Sequence, residues 1–319
     1  MAHELANISG KTSMAFIGNR TEIWHGLGQE LSKDSSIETW KEEAGFNWEI
    51  EHTPAMFNVG DKAVEFKGKR VLYRSDSKEE LSIVSNTYNI VQPAEVLDFF
   101  QDLVGAAGMQ LSTAGVIFGG KRFWALAETN NFATINGNDD IKGNLLLTTS
   151  CDGTLATQAS FVSTRVVCNN TLRLALGEDG KKSKVSHARV FDPMEIKNSL
   201  GLIDQSWNDF ISNVTKLTET GISEVKAQDF IYDLVARKGI LPDEQPYTVD
   251  QTVQSMMNKF KAGMGNKGQT LWDLLNGITE HYQYEMGRTK TNDVKFWSNM
   301  YGNDAVLKDL AFNKALELV

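Results

Sequence analysis

The chain has 319 residues, long enough to bury a sizeable core as one large domain or two ordinary ones. Its 41% hydrophobic and 23% charged residues are those of a globular protein. No run approaches the ~18 apolar residues of a membrane helix and no basic-then-apolar leader opens the sequence, so a cytoplasmic protein with no membrane partner is expected. The net charge of −9 excludes a uniformly basic polyanion binder, but it is unevenly spread. Residues 1–107 carry a net of −7, residues 108–190 a net of +3 and residues 191–319 a net of −5.

In chain order, Trp24-His25-Gly26-Leu27-Gly28 reads as a fixed loop, because glycines bracket two bulky rings. Ser36 to Ala44 reads as a short helix, capped by Ser35 or Ser36 and ended by Gly45. Strand-like runs follow at Asn47 to His52, at Ala63 to Tyr73 around a Lys67-Gly68-Lys69 turn, and at Leu81 to Ser85. Pro93 opens an amphipathic helix whose Val96, Phe99, Phe100, Leu103 and Val104 share one face. Leu111 to Phe118 and Lys121 to Glu128 flank a Gly119-Gly120 turn. Leu145 to Thr149 and Thr154 to Val162 flank an Asp152-Gly153 turn.

From Asp192-Pro193 the period changes to 3.6. A long helix runs to about Leu217 with Ile203, Trp207, Phe210, Ile211 and Val214 on its stripe. Shorter helices are predicted at Glu224–Lys238, Val249–Lys261, Thr270–Tyr284 and Ala305–Leu318. The fold class is therefore α+β, a mostly antiparallel sheet with packed helices followed by an α-helical C-terminal region. The division is an α+β domain with an N-terminal extension over 1–190 and a helical region over 191–319.

The second hairpin delivers a dense set of small polar groups: Ser150, Asp152, Ser163, Thr164, Asn169, Asn170 and Thr171. Ser150, Asp152, Thr164, Asn169 and Asn170 are candidates for a recognition edge; helix capping by Ser163 or Thr164 is an equal alternative. Arg165 stands beside Val166 and Val167, where a charge is costly unless paired or facing a cleft. A structural role would pair it with Asp152 or another carboxylate. Lys121-Arg122-Phe123-Trp124 sets cations beside rings, the chemistry that binds single strands, although burial of both rings is the plainer outcome.

Other motifs carry little. Gly10-Lys11-Thr12 lacks the earlier glycine and the strand of a phosphate loop. Gly263-Met264-Gly265-Asn266-Lys267-Gly268 follows a helix rather than a strand, so it reads as a connection, not a dinucleotide fingerprint. His25 has no nucleophile or carboxylate at a telling spacing, and His281 with Glu285 reads as a solvated helix face. Cys151 and Cys168 form no disulfide framework, and with His187 they make a poor metal set. No metal and no cofactor are expected.

Several segments together carry a resemblance: Trp24 to Gly28, Tyr88-Asn89-Ile90-Val91-Gln92, and Thr164-Arg165-Val166-Val167-Cys168-Asn169-Asn170-Thr171-Leu172. Thr270-Leu271-Trp272, Asn276 to Tyr282, and Met300-Tyr301-Gly302 with Leu307-Lys308 add to it. The chain resembles the phage/plasmid-like proteins, a family of unknown function carried by bacteriophages, plasmids and prophages. The resemblance implies a mobile-element setting but transfers no catalytic residue.

Combined with the basic middle third, it leads to an expected role as a non-enzymatic accessory protein that binds single-stranded nucleic acid or anneals strands. The strand-strand-strand-helix order of residues 45 to 107 is loosely like that of annealing recombinases, a likeness of fold only. Lys121, Arg122, Lys142, Arg165 and Arg173 are the expected phosphate contacts. The alternatives are an interaction protein directed at a host or phage factor, and an enzyme acting on nucleic acid or nucleotides through Asp152, His187 or His25. Homo-oligomerisation is left open.

Overall fold

The computed structural model describes residues 7–8, 11–18, 28–98, 101, 108–135, 137, 139–165, 170–174, 183–185, 203–235, 246–285 and 292–319. The chain divides into two compact units. The first comprises residues 1–130, 144–161 and 176–203, and the second residues 131–143, 162–175 and 204–319. The fold is α+β with mostly antiparallel strands and a helical C-terminal region, as the change of period implies.

The strands are β1 (Asn7–Ile8), β2 (Lys11–Thr12), β3 (Met14–Ile17), β4 (Gln29–Leu31), β5 (Ile50–Val59), β6 (Lys62–Arg74), β7 (Glu80–Ser85), β8 (Gln110–Ile117), β9 (Arg122–Ile135), β10 (Asp139–Ser150), β11 (Thr157–Arg165), β12 (Asn170–Leu174) and β13 (Ser183–Val185). The large sheet has the order β12-β11-β10-β9-β8-β3-β4, with β13 pairing β11. Strands β3 and β4 pair in parallel. A separate meander, β5-β6-β7, precedes a helical segment at 93–98. That realises the strand-strand-strand-helix order read from the sequence.

In the first unit, α1 (Ile37–Glu43) begins where Ser36 accepts a hydrogen bond from the Thr39 amide and ends before Gly45 at φ +78°. A side chain at Gly45 would meet Ser13 Cβ at 2.5 Å, so that position excludes any other residue. Phe16, Phe46, Trp48, Leu72, Phe123 and Phe161 build the core; the Phe123 ring lies 6.0 Å from Phe46 and 5.6 Å from Trp48.

The second unit is built on α2 (Ile203–Glu219), α3 (Glu224–Val235), α4 (Pro246–Ala262), α5 (Leu271–Glu280), a π-helical turn (His281–Glu285), α6 (Asn292–Met300) and α7 (Asn303–Leu316). Trp207, Phe210, Val214 and Leu217 are buried at spacings of three and four, the stripe that binds α2 to its neighbours. Helix α5 is buried on every side, and Gly277 lets it approach α4 closely: a Cβ there would lie 2.5 Å from the Phe260 nitrogen. Thr270 and Asp273 form a reciprocal capping box at its start.

The structure corrects several local expectations. Lys67-Gly68-Lys69 is not a hairpin turn. The chain reverses at Gly60-Asp61, and residues 66–69 bulge from β6 between the Pro54–Arg70 and Met56–Glu65 pairs. A glycine at φ +84° serves a bulge as well as a turn, which is why the sequence misled. Asp152-Gly153 lies inside a six-residue loop, 151–156, rather than forming a two-residue connection. The Gly119-Gly120 turn widens to Phe118–Lys121, with Phe118 also at positive φ.

Glu280, His281 and Tyr282 are buried, not a solvated helix face. Helix α6 was not foreseen. The Trp24-to-Leu27 loop, His187, Cys168, Asn169 and the Asp192-Pro193 helix start lie outside the described residues.

Candidate nucleic-acid interface

The polar hairpin and the Lys121–Trp124 strand start come together at one end of the first unit. Arg122 lies on the rim of this cluster. Its guanidinium donates to Thr154 Oγ1 at 3.0 Å, stands 3.7 Å from the Asp152 carboxylate and covers the Phe118 ring at 4.8 Å. Partial desolvation lowers the Arg122 pKa against the opposing pull of Asp152, and the side chain stays charged at neutral pH. Asp152 in turn accepts from the Thr154 amide and hydroxyl.

Ser150 is buried, and its hydroxyl donates to the Leu155 carbonyl while accepting from the Leu155 amide. Thr149 and Thr157 share a buried hydrogen bond of 2.8 Å, and Tyr88 donates from its hydroxyl to the Ser150 carbonyl at 2.8 Å. The density of small polar groups therefore closes a loop. Ser150 and Asp152 satisfy backbone groups that a six-residue connection leaves without strand partners.

Behind the loop, Cys151 is a free, buried thiol 3.4 Å from the Gly120 carbonyl. Burial pushes its pKa up to about 12, the Asp152 charge adding to the shift. Desolvation likewise raises Tyr88. Such a buried, protonated thiol is a poor nucleophile at neutral pH. Beside it, the buried Arg74 guanidinium stacks on Trp48 at 4.0 Å and forks onto both oxygens of Asp76 at 2.9 and 2.7 Å, holding that carboxyl below its ordinary range. Phe123 and Trp124 are buried, so neither ring is available to stack on a base.

The remaining basic candidates divide between the units. Lys121 is half-buried beside the loop of the first unit. Lys142 on β10, Arg165 on β11 and Arg173 on β12 belong to the second and lie on three adjacent strands. Thr164 is half-buried on β11, and Asn170 begins β12; the side chains of Arg165, Asn170 and Arg173 lie outside the described residues. Asp152, one of the carboxylates named as a partner for Arg165, stands 3.7 Å from Arg122.

The glycine-rich connection after α4 offers no phosphate cradle. Asp273 accepts from the amides of Lys267, Gln269 and Thr270, and Glu280 accepts from that of Met264. Lys259 lies 3.0 Å from Glu280 and 3.5 Å from Glu285 beside a polar cleft of about 410 Å³, where Ser255 Oγ and His281 Nδ1 are 2.8 Å apart. Among the described residues, no group of three or more His, Cys, Asp or Glu could hold a metal ion. No described helix is long and apolar enough to cross a membrane.

Sequence reasoning missed one surface. The distal part of the β5–β6 ribbon leaves Met56, Phe57, Val59, Val64 and Phe66 exposed. Its basic residues lie in the most acidic third of the chain, where averaging over a hundred residues concealed them. A shorter window over 54–70 finds Lys62, Lys67, Lys69 and Arg70 against only Asp61 and Glu65.

A family model described as a domain of unknown function, DUF932, matches residues 80–307, well over half of the sequence. The chain belongs to the DUF932 family. The DUF932 match begins at the first residue of β7 and ends within α7, so the β5–β6 ribbon precedes it. No curated protein and no solved structure matches the chain.

Proposed function

We propose that this DUF932 protein is a phage- or plasmid-borne accessory protein that binds single-stranded nucleic acid and serves strand annealing in replication or recombination. The observation that supports the reading is the β5-β6-β7 meander followed by a helix at 93–98, an order loosely like that of annealing recombinases and a likeness of fold only. The resemblance of the Thr164–Leu172 segment and its companions to phage/plasmid-like proteins supplies the mobile-element setting. Lys121, Lys142, Arg165 and Arg173 remain candidate phosphate contacts on this reading, while Arg122 is engaged by Asp152.

Mobility shifts with single- and double-stranded DNA and RNA over a salt series test the proposal. About four phosphate contacts on a single strand give a log–log salt slope of roughly −3. Absence of salt-dependent binding to any strand at low ionic strength refutes the reading and favours an interaction protein.

A further inference from the structure

The β5–β6 ribbon is one long hairpin reversed at Gly60-Asp61. Beyond the bulge at 66–69, Phe57 pairs with Val64 and Val59 with Lys62, so these residues share a face. Phe66 joins them: its ring meets Phe57 edge-on at 6.2 Å. Phe57 and Phe66 are 46% and 53% exposed, an unusual state for paired rings. Lys62, Lys67 and Lys69 are exposed on the same segment. Strand β7 pairs with β6 only over Lys69–Tyr73 and leaves the distal ribbon two-stranded.

Two occupants suit an apolar stripe of this kind, a second copy or a flexible polymer with flat apolar groups. The four side chains Phe57, Val59, Val64 and Phe66 offer on the order of 350 Å² per copy, taking about 200 Å² for a whole ring. Two copies face to face therefore bury roughly 700 Å², well under the ~1,200 Å² of a stable interface. The charge decides further. Four cations outnumber two carboxylates on the arm, so two arms set face to face repel each other while a polyanion is attracted.

We infer that the β5–β6 arm is a single-strand-binding element, on which unpaired bases stack against Phe57 and Phe66 while Lys62, Lys67 and Lys69 meet phosphates. The inference rests on the single-strand-binding reading above and assigns it to a segment that the DUF932 match does not cover. Stacking on rings is tolerant of base identity, so the arm binds without sequence preference and favours single strands over duplex.

The test uses the full chain, a fluorescein-labelled thirty-nucleotide poly(dT) strand and fluorescence anisotropy at low salt, with sedimentation of each protein alone. Phe57→Ala/Phe66→Ala weakens binding at least tenfold, since each lost stack accounts for roughly five- to a hundredfold. Lys62→Ala/Lys67→Ala/Lys69→Ala flattens the log–log salt slope by about two. Lys226→Ala, on α3, leaves both unchanged. Bromodeoxyuridine placed in the strand photocrosslinks the unaltered protein within residues 54–70, a readout independent of how the variants fold.

If the unaltered protein binds the strand but the arm variants bind equally well, or the crosslink falls elsewhere, the arm assignment is overturned and single-strand binding survives. If the unaltered protein does not bind, both fall. If the ring variant changes the sedimentation of the free protein, the stripe seats a second copy and the inference is overturned.

Discussion

Arg122, a candidate phosphate contact from the sequence, has a structural task in the first unit. Its guanidinium clips the 118–121 turn to the 151–156 loop through Thr154, Asp152 and the Phe118 ring. Arg122→Ala removes all three contacts. A hydrogen bond from a charged donor contributes about 1.5–3 kcal/mol, the ring contact roughly 0.5–1, and the 3.7 Å ion pair less than about 1. Allowing for overlap, the variant is less stable by about 2–4 kcal/mol. In a unit of this size that is roughly a 5–15 °C fall in Tm.

Arg122→Lys keeps the charge but loses the planar fork and most of the stack, and falls between the two. Thermal denaturation followed by circular dichroism measures both, and a double-mutant cycle with Asp152→Asn isolates the pair. Arg122→Ala melting within about 1 °C of the unaltered protein while single-strand affinity falls would refute the clip and restore the phosphate contact.

Two further outcomes follow from buried groups. Because folding raises the Cys151 pKa to about 12, its contribution to stability is complete below the unfolded value near 9 and is lost as pH climbs toward 12. Tyr88 shifts in the same direction, and Cys151→Ala shallows but does not abolish the alkaline decline in Tm; an unchanged pH profile contradicts the assignment. Gly277→Ala drives a methyl group into the Phe260 backbone and costs about 1–3 kcal/mol by forcing α4 and α5 apart. A urea midpoint equal to that of the unaltered protein shows that the two helices separate without penalty.

The sequence exposed those parts of the fold that depend on local chemistry. The Ser36 cap, the Thr270 helix start and the α2 stripe each follow from a few neighbouring residues whose role is the same in any context. It misled wherever a residue serves two geometries. Gly68 at positive φ marks a bulge as readily as a turn, and the length of β6 beyond it is decided by pairing with β5. Helix α6 is only nine residues long, too short for a 3.6-residue period to stand out, and the burial of His281 and Glu280 depends on α4 packing across them, which no local pattern encodes.

The candidate site was the least legible. Ser150 and Asp152 stood out as polar and clustered, but a recognition edge and a self-satisfying loop have the same composition. Only the hydrogen-bond partners separate them.

Among the described residues, the meander order leaves β5 without a strand partner on its outer edge, where Gln92 covers only Ile50, and distal β6 without one wherever β7 does not reach. Unpaired backbone edges beside exposed phenylalanines recruit further strands, the first step of fibril growth. Pro54, the bulge at 66–69 and the three lysines act as gatekeepers, interrupting the edge and repelling a like neighbour. The lysine-to-alanine triple variant therefore removes a safeguard along with the three proposed phosphate contacts, and its solubility over days of storage reports on how much those charges keep the arms of separate molecules apart.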